Sequence, residues 1–306
     1  MGPREASIAV IGCGVIGESW SALFLAYGYD VHAWDPNPEV RARFAQRIER
    51  PLVQLATLDP NLQLKGRLRV AGSLIEAVAT AGLVQENAPE RIPVKRALYA
   101  EIEAASPKNS IIASSTSALT WSDLSPALLQ PGRLITAHPF NPPHLIPLVE
   151  LFGVDNDVLA RAEAIYRHLD RKTVRLKKEA VGHIANRLAS ALWREAVHLV
   201  AEGIADVSDI DAALVNGPGL RWSVIGAHMV YHLAGGEGGI RHYLEHLGPS
   251  QVRRWETLGS PQLTAEVREK LIAGIASEAH GRSVSELESA RDTQLLSAIQ
   301  ARREVG

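Results

Sequence analysis

The sequence predicts an α/β protein in two parts: a mainly parallel sheet covered by helices over residues 1–183, then an all-helical domain over residues 184–306. Three observations predict it. Short apolar runs alternate with amphipathic segments through the first half, the pattern of a doubly wound sheet. Glycines cluster at the first strand-to-helix junction, at Gly12, Gly14 and Gly17. Near residues 178–186 the strand alternation stops, and apolar residues thereafter recur at helical spacing.

Ser7–Ile11 is the first strand, Val15–Tyr27 a helix and Asp30–Asp35 the second strand. Pro38–Thr57 is a helix in which Pro51 marks a kink or break, because proline lacks the N–H that a helix interior needs. Helices over Leu74–Thr80 and Ile92–Ala105 alternate with strands at Leu83–Asn87, Ser110–Ser114 and Arg133–His138. Beyond the transition, Leu188, Leu192, Ala196 and Leu199 space a helix over Ile184–Glu202, with Gly203 as its C-cap. Ser208–Leu214, Val224–Leu233, Gly239–Leu247 and Thr264–Ala279 also read as helices. A last helix opens at Ser283, where Glu286 completes a capping box.

The 306 residues carry 32 Lys and Arg against 34 Asp and Glu, a formal net charge of −2. That balance offers no electrostatic attraction for nucleic acid or an anionic membrane. A hydrophobic content of 46% and a charged content of 22% are those of an ordinary globular chain with ample core. The single cysteine, Cys13, excludes an internal disulfide framework and a cysteine zinc site, and fits a reducing compartment. No stretch approaches the ~20 apolar residues of a membrane helix. The first apolar run, from Ile8 to Ile16, is interrupted by glycines and is not expected to be a signal peptide. A cytoplasmic protein is expected.

Gly12, Gly14, Val15, Ile16 and Gly17 lie in a G-x-G-x-x-G loop. Here it follows a strand, opens a helix and precedes an acid, Asp35, placed 18 residues beyond Gly17 at the end of the next strand. That context is the dinucleotide fingerprint of a Rossmann domain. Gly12 permits the tight turn, Gly14 admits a pyrophosphate to the backbone, and Gly17 lets helix and strand pack. The helix N-terminus offers free N–H groups to the phosphates. Asp35 accepts hydrogen bonds from both ribose hydroxyls and repels a 2′-phosphate, which favours NAD over NADP. A glycine-rich turn without a ligand is the alternative, and Cys13 is a small packing residue.

Further segments extend this reading. They are Gln85-Glu86-Asn87-Ala88-Pro89-Glu90 with Lys95, Ser114-Ser115-Thr116-Ser117, His138-Pro139-Phe140-Asn141-Pro142, Leu148-Val149-Glu150 and Asn186-Arg187-Leu188. In order and spacing they resemble the L-3-hydroxyacyl-CoA dehydrogenase superfamily over most of the chain. Within it, Leu192–Val200, Gly219–Gly226 and Leu233–Pro249 are similar to the branch acting on small free acids, which contains L-carnitine dehydrogenase and L-gulonate 3-dehydrogenase. Pro142-Pro143 looks more like the gulonate enzyme.

The resemblance implies roles residue by residue. His138 matches the family's base and Glu150 its paired carboxylate. Ser117 and Asn186 match polar residues that contact the reacting oxygen or hold the site together. Glu90, Lys95 and Asn141 match positions near the nicotinamide and its ribose, and Ser115 is expected to contact the cofactor as well. Three positions depart: Ser115 stands where asparagine is usual, His183 where an apolar residue is usual, and Val181-Gly182 where Pro-Gly is usual. The resemblance also implies a homodimer formed by the helical domain.

The residue types fit the chemistry implied. Oxidising a secondary alcohol removes a hydride from carbon and a proton from oxygen, and histidine is the side chain best tuned to take that proton. A carboxylate then stabilises the imidazolium and fixes its tautomer. Glu150 stands 12 residues after His138, and a return loop through Pro142, Pro143 and Pro147 would bring the two together. Ser117 follows a strand at the carboxyl edge, where open sheets bind ligands. A satisfied loop histidine, and for Glu90 and Lys95 a solvated ion pair, are the plainer alternatives.

In the helical half, Arg221 is a candidate partner for a substrate carboxylate. Trp222, Tyr231, Tyr243 and Trp255 offer aromatic faces to a quaternary ammonium. A structural salt bridge and ordinary packing are the alternatives. His228 with His232, and His242 with His246, have the i, i+4 spacing of zinc ligands, but no glutamate follows the first histidine, so no metal is expected. The expectation is thus an NAD-dependent dehydrogenase of a small L-3-hydroxy acid. A true hydroxyacyl-CoA dehydrogenase and a non-catalytic NAD-binding protein are the other readings.

Overall fold

The computed structural model describes residues 7–62 and 65–305. Eight strands form one sheet: β1 (Ser7–Ile11), β2 (Val31–Trp34), β3 (Leu68–Val70), β4 (Ala81–Glu86), β5 (Ile111–Ser114), β6 (Leu134–Pro139), β7 (Leu148–Phe152) and β8 (Lys172–Arg175). Their order is β3-β2-β1-β4-β5-β6-β7-β8. Every neighbouring pair is parallel except β6–β7. The mainly parallel sheet is therefore as expected, with one reversal that positions the site.

The helices of this part are α1 (Val15–Ala26), α2 (Pro38–Arg47), α3 (Glu49–Leu58), α4 (Leu74–Val78), α5 (Ile92–Ala105), α6 (Trp121–Leu124) and α7 (Asn156–His168). Strand side chains alternate between two apolar layers, as the pleat requires. Ile8, Val10, Ile111 and Ala113 join Trp20, Phe24, Leu55 and Tyr166 on one face. Ala9, Ile11 and Ile112 join Leu74, Tyr99, Ile102 and Leu124 on the other.

The helix expected over Pro38–Thr57 is two helices, and the break falls at Ile48 rather than at Pro51. Pro51 lies in the first turn of α3, where its missing N–H costs nothing. The Ile92–Ala105 helix has the predicted bounds.

The second part is helical throughout. It comprises α8 (Ala185–Ala201), α9 (Val207–Asn216), α10 (Pro218–Trp222), α11 (Ala227–Ala234), α12 (Gly239–His246), α13 (Gly248–Glu256), α14 (Ala265–Ala279) and α15 (Val284–Val305). The Ser283–Glu286 capping box is formed, with each side chain bonded to the other's backbone N–H. The helix expected over Val224–Leu233 begins only at Ala227, after Gly226. By compactness the chain divides between Arg187 and Leu188, and Leu295–Gln300 groups with the first unit. Among the described residues no helix is long and apolar enough to cross a membrane.

Candidate active site

The glycine loop lies at the carboxyl end of β1, where strand order turns from β2 on one side to β4 on the other, the usual ligand crevice of an open sheet. Gly12 has φ +92°, and a Cβ there would lie 2.8 Å from the Asn87 carbonyl carbon and oxygen. A Cβ on Gly17 would lie 2.0 Å from the Gly12 oxygen, so both glycines are required by backbone contacts. Gly14 differs: nothing stands within 4 Å of its Cβ position. It is the N-cap of α1, and no side chain caps that end. An open cradle beside uncapped N–H groups fits a dinucleotide pyrophosphate.

Asp35, just past β2, holds this loop. Its Oδ2 accepts the Cys13 N–H at 3.0 Å and its Oδ1 the Asn37 N–H at 2.9 Å. Burial, and then the charge of Asp35, push the Cys13 thiol up to about 12, so it remains a protonated packing group.

His138 lies in β6 and Glu150 in β7, in direct register across the antiparallel pair. Opposed residues of such a pair project to the same face. His138 Nδ1 is 2.9 Å from Glu150 Oε2. A carboxylate only accepts, so Nδ1 carries the hydrogen and Nε2 keeps a lone pair. Asn186 Nδ2 lies 3.4 Å from that Nε2 and also donates to the Ser117 carbonyl at 3.4 Å. The other oxygen of Glu150 accepts the N–H groups of Ile184 and Ala185 at 2.8 and 3.0 Å, at the start of α8. Burial works against the Glu150 charge, but the bonds from His138, Ala185 and Ile184 outweigh it and hold the carboxyl below its usual range.

The pocket beside His138 has a volume of about 320 Å³ and is lined by Ile16, Ser115, Ser117, His138, Pro139, Phe140, Asn141 and Asn186. Ser115 faces it with a hydroxyl already engaged: it receives Gln85 Nε2 and Trp20 Nε1 and donates to Asn87 Oδ1. Ser117 follows β5 in a loop that Glu90 organises. Glu90 Oε1 accepts the N–H groups of Ser117 and Ala118 at 2.8 and 2.9 Å and also the Thr116 hydroxyl. Burial opposes the Glu90 charge, yet these bonds and Lys95 keep its carboxyl below the usual range.

Lys95 is placed differently from a group at a cofactor surface. It is 1% exposed, and its Nζ lies 2.8 and 3.0 Å from the two oxygens of Glu86 and 3.7 Å from Glu90. Any influence on a ligand therefore passes through Glu90. Two residues without an expected role also stand here: Glu86, which also accepts from Tyr99 and Ser114, and His183, whose ring lies 4.7 Å from that of His138. The available signal for Glu86 was an acid that closes a strand opening with an apolar run, directly after Gln85.

Arg221, Trp222 and Tyr231 belong to the second unit. Arg221 and Trp222 are exposed on α10, and Tyr231 packs against Tyr243 with ring centroids 5.0 Å apart. His242 and His246 stack at 4.0 Å, and His232 Nδ1 accepts the Ile240 N–H. Among the described residues no group of three or more potential ligands gathers as a metal site would need.

The 3-hydroxyacyl-CoA dehydrogenase NAD-binding domain matches residues 7–180, and the C-terminal domain of the same family matches residues 182–275. An L-carnitine dehydrogenase of Nocardiopsis dassonvillei is 44% identical over 98% of this chain and 92% of its own length. One of Bacillus cereus is 42% identical over 96% and 91% respectively. Among solved structures, the NAD⁺-dependent dismutase 5-formyl-3-hydroxy-2-methylpyridine 4-carboxylic acid 5-dehydrogenase superposes with a TM-score of 0.85 at 26% identity, covering 99% of each chain. The 3-hydroxybutyryl-CoA dehydrogenase of Escherichia coli K12 gives 0.64 at 25% identity, covering 80% of this chain and 53% of its own. With the glycine cradle in place, these matches show that the chain belongs to the 3-hydroxyacyl-CoA dehydrogenase family and is an NAD-dependent dehydrogenase.

Proposed function

We propose that the chain oxidises the 3-hydroxyl of a small L-3-hydroxy acid to the 3-keto acid, with L-carnitine the first substrate and a gulonate-like acid the second. The observation that carries it is the His138–Glu150 pair at 2.9 Å, which leaves His138 Nε2 as the one basic atom among the pocket-lining side chains. The substrate choice is supported by the L-carnitine dehydrogenases similar over nearly the whole chain.

NAD, when bound, supplies the acceptor for the hydride leaving carbon 3. His138 Nε2 takes the hydroxyl proton, and Glu150 stabilises the imidazolium so formed. The Ser117 hydroxyl and the Asn186 amide bind the reacting oxygen. Gly12, Gly14, Val15, Ile16, Gly17, Asp35 and Asn141 form the cofactor surface. Ser115 faces the cofactor, while Glu90 and Lys95 hold the loop of Ser117. In the second unit, Arg221, Trp222 and Tyr231 are candidates for the polar or cationic end of the substrate.

The second unit exposes Trp193, Leu233, Leu244, Trp255 and Ile272, each more than half accessible. A second copy of the chain is proposed to cover these side chains in a homodimer. The single free cysteine fits a cytoplasmic setting.

The test is NADH formation on L-carnitine, gulonate, 3-hydroxybutyrate and 3-hydroxybutyryl-CoA. The highest kcat/KM is expected on carnitine. Turnover of another free acid alone would move the substrate within the same chemistry, and turnover of the thioester alone would overturn the free-acid reading.

A further inference from the structure

His183 ends a short turn ahead of α8. Gly182 has φ +77° and His183 has φ +52°, and the His183 N–H closes the turn on the Ala180 carbonyl at 2.9 Å. A histidine in the left-handed region is uncommon. A polar side chain on such a turn ordinarily points into water, yet this one is 3% exposed. Its Nε2 lies 3.0 Å from the Thr116 carbonyl oxygen. A carbonyl only accepts, so Nε2 carries the hydrogen. The ring lies 4.7 Å from the His138 ring at a tilt of 32°.

His183 therefore touches both halves of the site. On one side stands the imidazole paired with Glu150; on the other stands the loop that carries Ser117. Glu90 fixes the loop from its far side, and Ile184, the next residue, is fixed by Glu150. We propose that His183 is a positioning residue: through its Nε2–H it ties the Ser117 loop to the face of His138 and holds base and hydroxyl donor in register. The proposal rests on the reading of His138 as the base.

Its protonation state follows from the surroundings. The charged and titratable groups facing it are His138 from β6, Glu150 from β7 and Glu90 from the loop after β4. Burial is the largest influence and lowers its pKa, with the Thr116 carbonyl pulling the other way. The ring is thus neutral near pH 7, where a charge stacked on His138 would oppose formation of the imidazolium. In the unfolded chain the ring takes up a proton near pH 6.5, before the folded one does. Its contribution is therefore present at neutral pH and declines as pH falls from about 6.5 toward the lower folded value.

Two substitutions separate the parts. His183→Phe keeps a ring against His138 and removes the donor. His183→Gln removes the ring and keeps an N–H for Thr116. For His183→Phe, kcat is expected to fall about tenfold, as for a misplaced catalytic pair, with NAD affinity unchanged. His183→Gln is expected to recover most of that loss. In both, the part of the melting-temperature decline between pH 7 and pH 5 that belongs to His183 disappears. In the unaltered protein, ¹⁵N resonances of the imidazole are expected to show a neutral Nε2–H ring at pH 7.

Wild-type kcat in His183→Phe, equal impairment of both variants, or a charged or Nδ1–H ring would each overturn the proposal. A wild-type protein inactive on every hydroxy acid and thioester would instead remove the functional reading on which it rests.

Discussion

Glu150 serves two elements with one carboxylate: Oε2 meets His138 across the β6–β7 ladder, and Oε1 holds the first N–H groups of α8. The proton-accepting side chain and the helix that carries Asn186 therefore share an anchor. Glu150→Gln is expected to cut kcat by about 10²-fold or more, because the amide N–H would confront His138 Nδ1–H and disfavour the tautomer that leaves Nε2 free. Steady-state kinetics with NAD titrated separately checks this.

His138→Ala tests the base directly. A lost general base lowers kcat by about 10²–10⁴-fold. Nothing in the glycine cradle depends on His138, so NAD binding, read by fluorescence titration, should stay near the wild-type value. Full activity in this variant would refute the mechanism and leave the fold untouched.

Cofactor choice depends on Asp35. A preference for NAD over NADP of at least tenfold in kcat/KM, roughly 1.4 kcal/mol, is expected. Asp35→Ala should narrow that preference. It should also raise KM for NAD, because the N–H groups of Cys13 and Asn37 lose their acceptor. Equal use of both cofactors by the unaltered protein would remove the assignment.

The buried pair of Lys95 and Glu86 predicts a stability effect. Lys95→Met leaves the Glu86 carboxylate uncompensated in the interior, and breaking such a pair costs about 3–5 kcal/mol. Urea unfolding of this variant against the double variant Lys95→Met, Glu86→Leu should show part of the loss restored. If Lys95→Met alone unfolds at the wild-type midpoint, the pair does not hold the loop.

Acid sensitivity has a defined sign. The carboxyls of Glu150 and Glu90 are held below their ordinary range in the folded chain. Their contribution is complete above the unfolded value of about 4.3 and is lost as pH falls through the lower folded values. Glu90→Gln should flatten the melting-temperature profile in that acid window. An unchanged profile would show that Glu90 does not anchor residues 116–118.

Much of this architecture was legible because local and long-range signals agreed. The glycine loop sat between a strand and a helix, and α5 carried proline in its first turn. Apart from α7, an ordinary amphipathic helix capped by Asp155, what escaped notice broke a local rule. β7 carries a glutamate in a buried run, β8 is a charged four-residue edge, and β3 is three residues long. α10 and α13 carry their prolines in the first turn, where Gly-Pro and Pro-Gly also resemble a turn. The meeting of His138 with Glu150 was anticipated from a return loop; the antiparallel register that sets it depends on strand order, which spacing does not encode. Lys95 reads as a residue near the nicotinamide, with a solvated ion pair as the alternative, because no local pattern marks a lysine that is buried.

The glycine contacts have a consequence for how this protein can be altered. At Gly12 and Gly17 main chain presses on main chain, so a substitution there displaces a strand end or a helix rather than a rotamer. Another wall of the pocket is drawn by the Phe140 side chain, which has no part in the cofactor surface. One end of the crevice thus behaves as a fixed casting and the other as a replaceable insert. Saturation mutagenesis should find the first intolerant and the second permissive, so a change of substrate range can arise at the wall while dinucleotide affinity is preserved.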